Sequence, residues 1–435
     1  MFAEGMPVLS GTLSLLLSRR FLPLFLIQTS SSFADNEFKS AFTMFATYRL
    51  PLSGAQAGML GAAAAAMVVV PFMLYSANAA RMADSIERGV LLRGLKYFEL
   101  VTALVAVAAL LIGNLTSGLI ALFAFGAQAA VSSPVKYALL PQYLKEDELV
   151  AGNGLFEGGT FIATLVGGIL GNLAAEPHWG AQVAGGILIA SVLVGVVASQ
   201  FLEPAPCPNP GARISWVPLK GAGIVIRQAA ALPAIHLPIL GISWYWVIGA
   251  ILLSQFPAWT KQSLDADNTV VTLFLTVFSV GILIGAVLCG RLLKGETSGR
   301  LAGPSALIMA VALFDLWFAN PAAHPPVENL LGIIGFIVSP EGWRILVDLA
   351  VIAVCGGVFV VPLYAVVQQR SPPDQRASMV AANNIWNATF MTIAAAVCAL
   401  MLALGVSVPG LFAVLAAGTL VTAVLSFLYL RQMDG

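Results

Sequence analysis

The sequence predicts an all-α membrane protein, with twelve transmembrane helices in two pseudo-symmetric six-helix bundles. Three observations predict it: a strongly apolar composition, a recurrence of apolar runs of membrane-spanning length, and a likeness between the two halves. The chain has 435 residues, of which 59% are hydrophobic and 10% charged, and its mean hydropathy is +0.91. Soluble domains run nearer ~45–50% apolar and ~25% charged. The formal net charge is +0, so no global field favours nucleic acid.

A helix needs roughly 20 mainly apolar residues to cross a bilayer. Runs of that kind fall at 21–48, 55–79, 91–113, 117–140, 148–174 and 179–202 in the first half. The second half repeats them at 233–258, 268–293, 301–319, 343–369, 377–403 and 407–430. Span length and the lack of strict alternation argue for helices rather than a barrel. The break at 203–232 opens Pro-rich and continues into "WVPLKGAGIVIRQ", a candidate helix at the membrane surface. The expected units are therefore 1–202, a linker 203–232, and 233–435.

Lys and Arg set the orientation. With the N-terminus cytoplasmic, the inside loops collect Arg19, Arg20, Arg81, Arg88, Arg93, Lys96, Lys145, Arg213, Lys220, Arg227, Arg300, Arg370, Arg376 and Arg431, among others. The opposite side takes only Arg49, Lys261 and Arg344. Both termini are then expected inside.

The first span is not cleanly apolar. "SSFADNEFKS" places Asp35, Asn36, Glu37 and Lys39 mid-span, after a lead-in with Gln28, Ser30, Ser31 and Ser32. A central charge costs about 2.5–3.5 kcal/mol on insertion scales. Asp35 and Lys39, at i and i+4, share a face and can pair; Glu37 points nearly the other way. A polar lining on a cavity-facing helix is the functional reading, and mutual neutralisation within the bundle the structural one. Lys136 lies near the cytoplasmic end of the fourth span and Glu157 about two turns into the fifth. The two could pair, or Lys136 could snorkel to the interface. The second half differs: its seventh span offers Gln255 and aromatics, its eleventh Asn383, Asn384 and Asn387, and neither carries a central charge. Trp244 and Trp246 read equally as cavity lining or as an interfacial belt. The glycines of "GNGLFEGG", "VGGILGN" and "GILIG" suit close helix packing.

The halves repeat one another. Pro134 corresponds to Pro362, and Asn153 with Glu157 to Asn383 with Asn387, each pair four residues apart. Two parallel six-helix repeats joined by a central loop resemble the major facilitator superfamily, in which substrate binds between the halves. The loop "AARMADSIERG" is similar to the superfamily's conserved charged loop, with Asp84 and Arg88 in the places of its acid and base; the resemblance implies a gating role for both.

One branch is more specific. "FADNEFKSA", "SSPVKYALLPQYLKEDELVAGNGLFEGGTFIA", "GISWYWVIGAILLSQFP" and "RASMVAANNIWNATFM" resemble segments of the lysophospholipid transporter family, across both halves. That family includes a transporter domain fused in some bacteria to an acyltransferase and acyl-carrier-protein synthetase. Asp35, Asn36 and Lys39 match its first-helix polar cluster, and Lys136 its fourth-helix lysine. "AILLSQF" lacks the arginine that some members carry in the seventh span, and Glu37 stands where the family tends to be apolar.

The resemblance implies inward movement of lysophospholipids, such as lysophosphatidylethanolamine, across the bacterial inner membrane. It also implies a cytoplasmic acyltransferase as partner. The expected state is a monomer in the lipid bilayer. The substrate-binding set is Asp35, Asn36, Lys39, Lys136, Glu157, Gln255, Asn383 and Asn387. The alternative is a proton-coupled transporter of small amphiphiles, with Asp35 or Glu37 carrying the proton. No nucleophile–base constellation, H-E-x-x-H run or phosphate-cradling G-x-x-x-x-G-K-[ST] occurs, so no enzyme activity is expected. Cys207, Cys289, Cys355 and Cys398 are scattered, and His178, His236 and His324 isolated, so no disulfide framework, metal or cofactor is expected.

Overall fold

The computed structural model describes residues 14–49, 54–175, 178–211, 217, 221–294, 296–319 and 330–430. Twelve long helices make up most of it: α1 Leu22–Arg49, α2 Gly54–Ser85, α3 Arg88–Ile112, α4 Leu115–Tyr143, α5 Leu149–Gly171, α6 Gly180–Ser199, α7 Pro233–Ser263, α8 Asn268–Leu293, α9 Ala302–Phe318, α10 Pro340–Arg370, α11 Arg376–Ala403 and α12 Val408–Leu425. Each covers one expected span. Ten are long and apolar enough to cross a membrane. The other two are α1, interrupted by Asp35, Glu37 and Lys39, and α9, only 17 residues long. Arg213, Lys220, Arg431 and His324 lie outside the described residues.

The helix ends are set by local chemistry. The Glu87 carboxylate caps α3, accepting from the N–H groups of Gly89 and Val90, and also takes the Ala205 N–H at 2.7 Å. Burial pulls this carboxyl upward, but the three backbone donors outweigh it and hold Glu87 below the ordinary glutamate range. Gly113, at φ 73°, closes α3 in the left-handed conformation that glycine adopts without strain. Asn114, Ser339 and Ser407 cap α4, α10 and α12.

The helices pair in a repeated pattern. In the first half α1 packs on α5 and α6, α2 on α4, and α3 on α4 and α6. Six helices later, α7 packs on α11 and α12, α8 on α10, and α9 on α10 and α12. Between the halves α5 meets α8, and α2 meets α11. Glycines make the closest crossings. A Cβ on Gly126 of α4 would lie 2.8 Å from the Val68 carbonyl of α2, and one on Gly285 of α8 would lie 2.0 Å from the Val354 carbonyl of α10. Backbones can approach this closely only where the side chain is missing.

The start of the linker is tied down. Ala205 and Asn209 exchange backbone bonds with Arg88 and Asp84, at the turn between α2 and α3. The expected surface helix is present as Ala222–Ala230. It packs against α11, with Val225 and Ala229 buried and Ile224 exposed.

The helix ends nearest Arg19, Arg20, Arg93, Lys145 and Arg370 form the basic end of the bundle. There the halves are latched. Asn153 of α5 and Gln368 of α10 exchange two amide hydrogen bonds, at 3.0 and 2.7 Å.

Candidate functional site

The polar residues of α1 are shared among three neighbours. Gln28 donates to Thr160 (2.8 Å) and Asn36 to Thr164 (3.2 Å), fastening one side to α5. Ser31 donates to Glu99 of α3 at 3.1 Å. Thr29 and Ser30 line a groove on the outer face of the first half, beside α6. The lead-in is therefore not one continuous cavity lining, as the sequence suggested. Much of it is interhelical hydrogen bonding, which lets an apolar bundle hold polar side chains.

The Asp35–Lys39 ion pair expected from their spacing is not formed. The Lys39 ammonium instead donates to Asn36 Oδ1 at 3.1 Å. One Asp35 oxygen is buried without a hydrogen-bond partner. Around Asp35, within electrostatic reach, lie Glu99, Lys136, Lys96 and Lys39. Lys136 is 6% exposed. It forms no hydrogen bond or ion pair among the described residues. Its expected pairing with Glu157 is also absent, because Glu157 takes the Tyr137 hydroxyl at 2.5 Å instead. The result is a half-buried acid and a nearly buried base in one cluster of side chains, neither neutralised by a direct partner.

Sequence reasoning missed the group at the centre of this cluster. Lys96, assigned to a cytoplasmic loop, is in fact inside α3 and 0% exposed. Its Nζ meets Glu99 Oε2 at 2.7 Å, and Glu99 is 0% exposed too. Gln128 of α4 donates to the same oxygen at 2.8 Å, and Lys96 also reaches Ser31 Oγ at 3.1 Å. The signal was present in "LKYFEL", an i, i+3 acid–base pair inside an apolar run. Position near a helix end, beside Arg93, hid it.

A second cluster joins the halves. Tyr137 of α4 stacks on Tyr364 of α10 (centroids 5.1 Å, planes 17° apart). Trp246 donates to the Tyr364 hydroxyl at 3.0 Å and stacks on Phe161 of α5. Trp244 donates to Thr419 of α12. Both tryptophans are half-buried and pack against the interior of the bundle. Asn383 and Asn387 lie near Tyr364, and Ser243 donates to Asn387 at 2.7 Å. Ser133 and Asn384 bond across the halves. Glu157, Asn383 and Asn387 therefore belong to this junction, while Asp35, Asn36, Lys39 and Lys136 belong to the polar cluster in the first half. Gln255 joins neither, since its amide reaches only Ser254.

Asp84 and Arg88 stand at the basic end, 3.9 Å apart. Arg88 is buried and donates to the carbonyls of Ala83 and Ala138, both at 3.3 Å. Across the interface, Asp374 and Arg376 lie within electrostatic reach. Asp315 and Arg344 form an exposed, two-pronged ion pair (2.8 and 2.5 Å) at the opposite end of the second half. The four cysteines are free, and among the described residues no cluster suited to a metal ion occurs.

Helix order, the repeat six helices apart and the latch between halves can be compared with solved structures. A transporter of the major facilitator superfamily, FucP, in an outward conformation, matches with a TM-score of 0.71, covering 94% of this chain and 98% of that one at 13% identity. The human organic anion transporter MFSD10 matches at 0.70, with 94% and 99% coverage and 13% identity. The chain has the major facilitator fold. In sequence it is similar to the lysophospholipid transporter LplT of Yersinia enterocolitica, 28% identical over 400 residues and 90% of each chain. The protein of the same description from Serratia proteamaculans is 27% identical over 385 residues, 87% of each chain. No family model matches the chain.

Proposed function

We propose that this chain is a lysophospholipid transporter of the bacterial inner membrane. It moves lysophospholipids such as lysophosphatidylethanolamine inward by alternating access between the units 1–202 and 233–435. Similarity to lysophospholipid transporters along nine-tenths of the chain supports this, but one structural observation carries it: Asp35 and Lys136 lie within electrostatic reach of one another inside the first half, and neither has a direct ion-pair partner. A zwitterionic headgroup supplies the missing partners, its ammonium for Asp35 and its phosphate for Lys136, with Lys39 and Asn36 beside it. The second half, with Trp246, Tyr364, Asn383 and Asn387 at its junction with the first, shelters the acyl tail. Asp84 and Arg88 act at the gate on the basic end, which faces the cytoplasm together with both termini. A cytoplasmic acyltransferase then restores the second chain, and the transporter works as a monomer.

Purified protein in liposomes tests this, offered lyso- and diacyl-phospholipids side by side. The expected result is movement of the lysolipid alone. Movement no greater than in empty liposomes overturns the proposal.

Glu37 favours a second reading. It is 0% exposed, and both its carboxylate oxygens lack hydrogen-bond partners, as suits a proton carrier. Transport that collapses with uncouplers and is lost in Glu37→Gln would establish proton coupling; indifference to both would exclude it.

A further inference from the structure

The outer face of the first half carries a groove that none of Asp35, Lys39 and Lys136 lines. It lies where α5 and α6 part and leaves α1 as its floor. Its larger section, about 1040 Å³, is walled by Leu22, Leu26, Leu193, Val197 and Phe201. A deeper section of about 440 Å³ continues past Thr29, Ser30 and Phe33. Ala190 and Val194 line both sections, so the two adjoin.

The deep section is apolar in effect despite its hydroxyls. Thr29 donates to the Phe25 carbonyl, Ser30 to Ile27 and Ser191 to Leu188, each within its own helix. What they present to the groove is methyl and methylene surface. From Leu22 to Phe33 the floor runs about 16 Å, at a rise of ~1.5 Å per residue. That is about half of a ~30 Å hydrocarbon core, the depth of one leaflet.

The mouth is charged with both signs. Arg19 and Glu203 line it at the basic end, outside the long helices. Among the described residues neither side chain is held in an ion pair.

We propose that this groove is a second lipid site, holding a single-chain zwitterionic phospholipid in the leaflet at the basic end. The tail lies along α1 and α6 from Phe201 to Phe33. The phosphate meets Arg19 and the ammonium meets Glu203. The deep section is the smaller of the two, so one chain occupies it in this proposal, and a second chain is left outside. The site lies on the opposite side of α1 from Asp35 and Lys136. It rests on the transport reading for its role: it retains the delivered lysolipid at the membrane face where the second chain is added.

The test uses the full chain in diacyl-phosphatidylcholine nanodiscs and a lysophosphatidylethanolamine with a photoreactive tail, with adducts mapped by mass spectrometry. Adducts are expected on 187–201 and 22–33. Unlabelled lysophosphatidylethanolamine should suppress them and diacyl-phosphatidylethanolamine should not. Val197→Trp should abolish them by filling the slot, and Arg19→Ala should raise the lysolipid concentration needed by about tenfold, the loss of one charge-assisted contact. Equal suppression by the diacyl lipid, or no adducts on this face, overturns the proposal. Lysolipid transport measured on the same preparation separates the two ideas: transport without groove labelling refutes the groove alone, whereas selective labelling without transport refutes the transport reading and leaves the lysolipid site standing.

Discussion

The two halves share a packing scheme and differ in chemistry. The main helix pairings of the first half recur six helices later, and both halves use a glycine to bring backbones together, Gly126 in one and Gly285 in the other. Yet the first half buries Lys96, Glu99 and Lys136 around Asp35, whereas the second fills the equivalent depth with Trp246, Tyr364 and amides. Its ion pair, Asp315–Arg344, stays exposed near one end. One fold thus carries a charged lobe and an aromatic one, as a ligand with a charged head and an apolar tail requires.

The sharpest way to break the comparison is to remove one partner of the buried pair. Lys96→Met or Glu99→Gln should each cost about 3–5 kcal/mol, because the remaining charge is left desolvated. Thermal unfolding in detergent should show it, with the double variant Lys96→Met, Glu99→Met lying closer to wild type than either single one. Equal losses in all three would mean that the pair is not coupled.

The shared packing can be tested next. Gly285→Ala places a Cβ against the Val354 carbonyl, and Gly126→Ala places one, less tightly, against Val68. Each should lower stability by about 1–3 kcal/mol through overpacking, with Gly285→Ala the more severe in the same melting assay.

The latch between lobes comes third. Gln368→Ala strips Asn153 of two amide bonds in a buried site, at about 1–3 kcal/mol. Because the bonds join the halves, hydrogen exchange should rise in 149–158 and 362–370 while the other helices stay protected. A uniform rise would mean global destabilisation instead. The smallest effect belongs to Asp315→Asn. Its pair with Arg344 is solvent-exposed, so the melting temperature should stay within the scatter of repeat measurements.

Most of the fold could be read along the chain, because apolar length and charge bias are one-dimensional signals. All twelve expected spans coincide with long helices to within a few residues at most ends. The site was less legible, for a physical reason. Which face of α1 meets α5, α3 or lipid depends on neighbours that the sequence does not place. Gln28, Ser30 and Ser31 therefore looked alike, although one holds α5, one borders the outer groove and one holds Glu99. Lys96 was misplaced because charge bias reads a lysine near a helix end as a loop residue, whereas its partner three positions on makes burial tolerable. Trp244 and Trp246 could not be sorted without knowing their depth.

The division of labour between a headgroup lobe and a tail lobe is tested most directly by transport in liposomes, using lysophospholipids that differ in head or in tail length. Asp35→Asn should fold and insert normally and lose the preference for an amine-bearing head while keeping the wild-type dependence on tail length. Trp246→Ala should do the reverse. If Asp35→Asn transports every lysolipid as the wild type does, the first half is not the headgroup lobe.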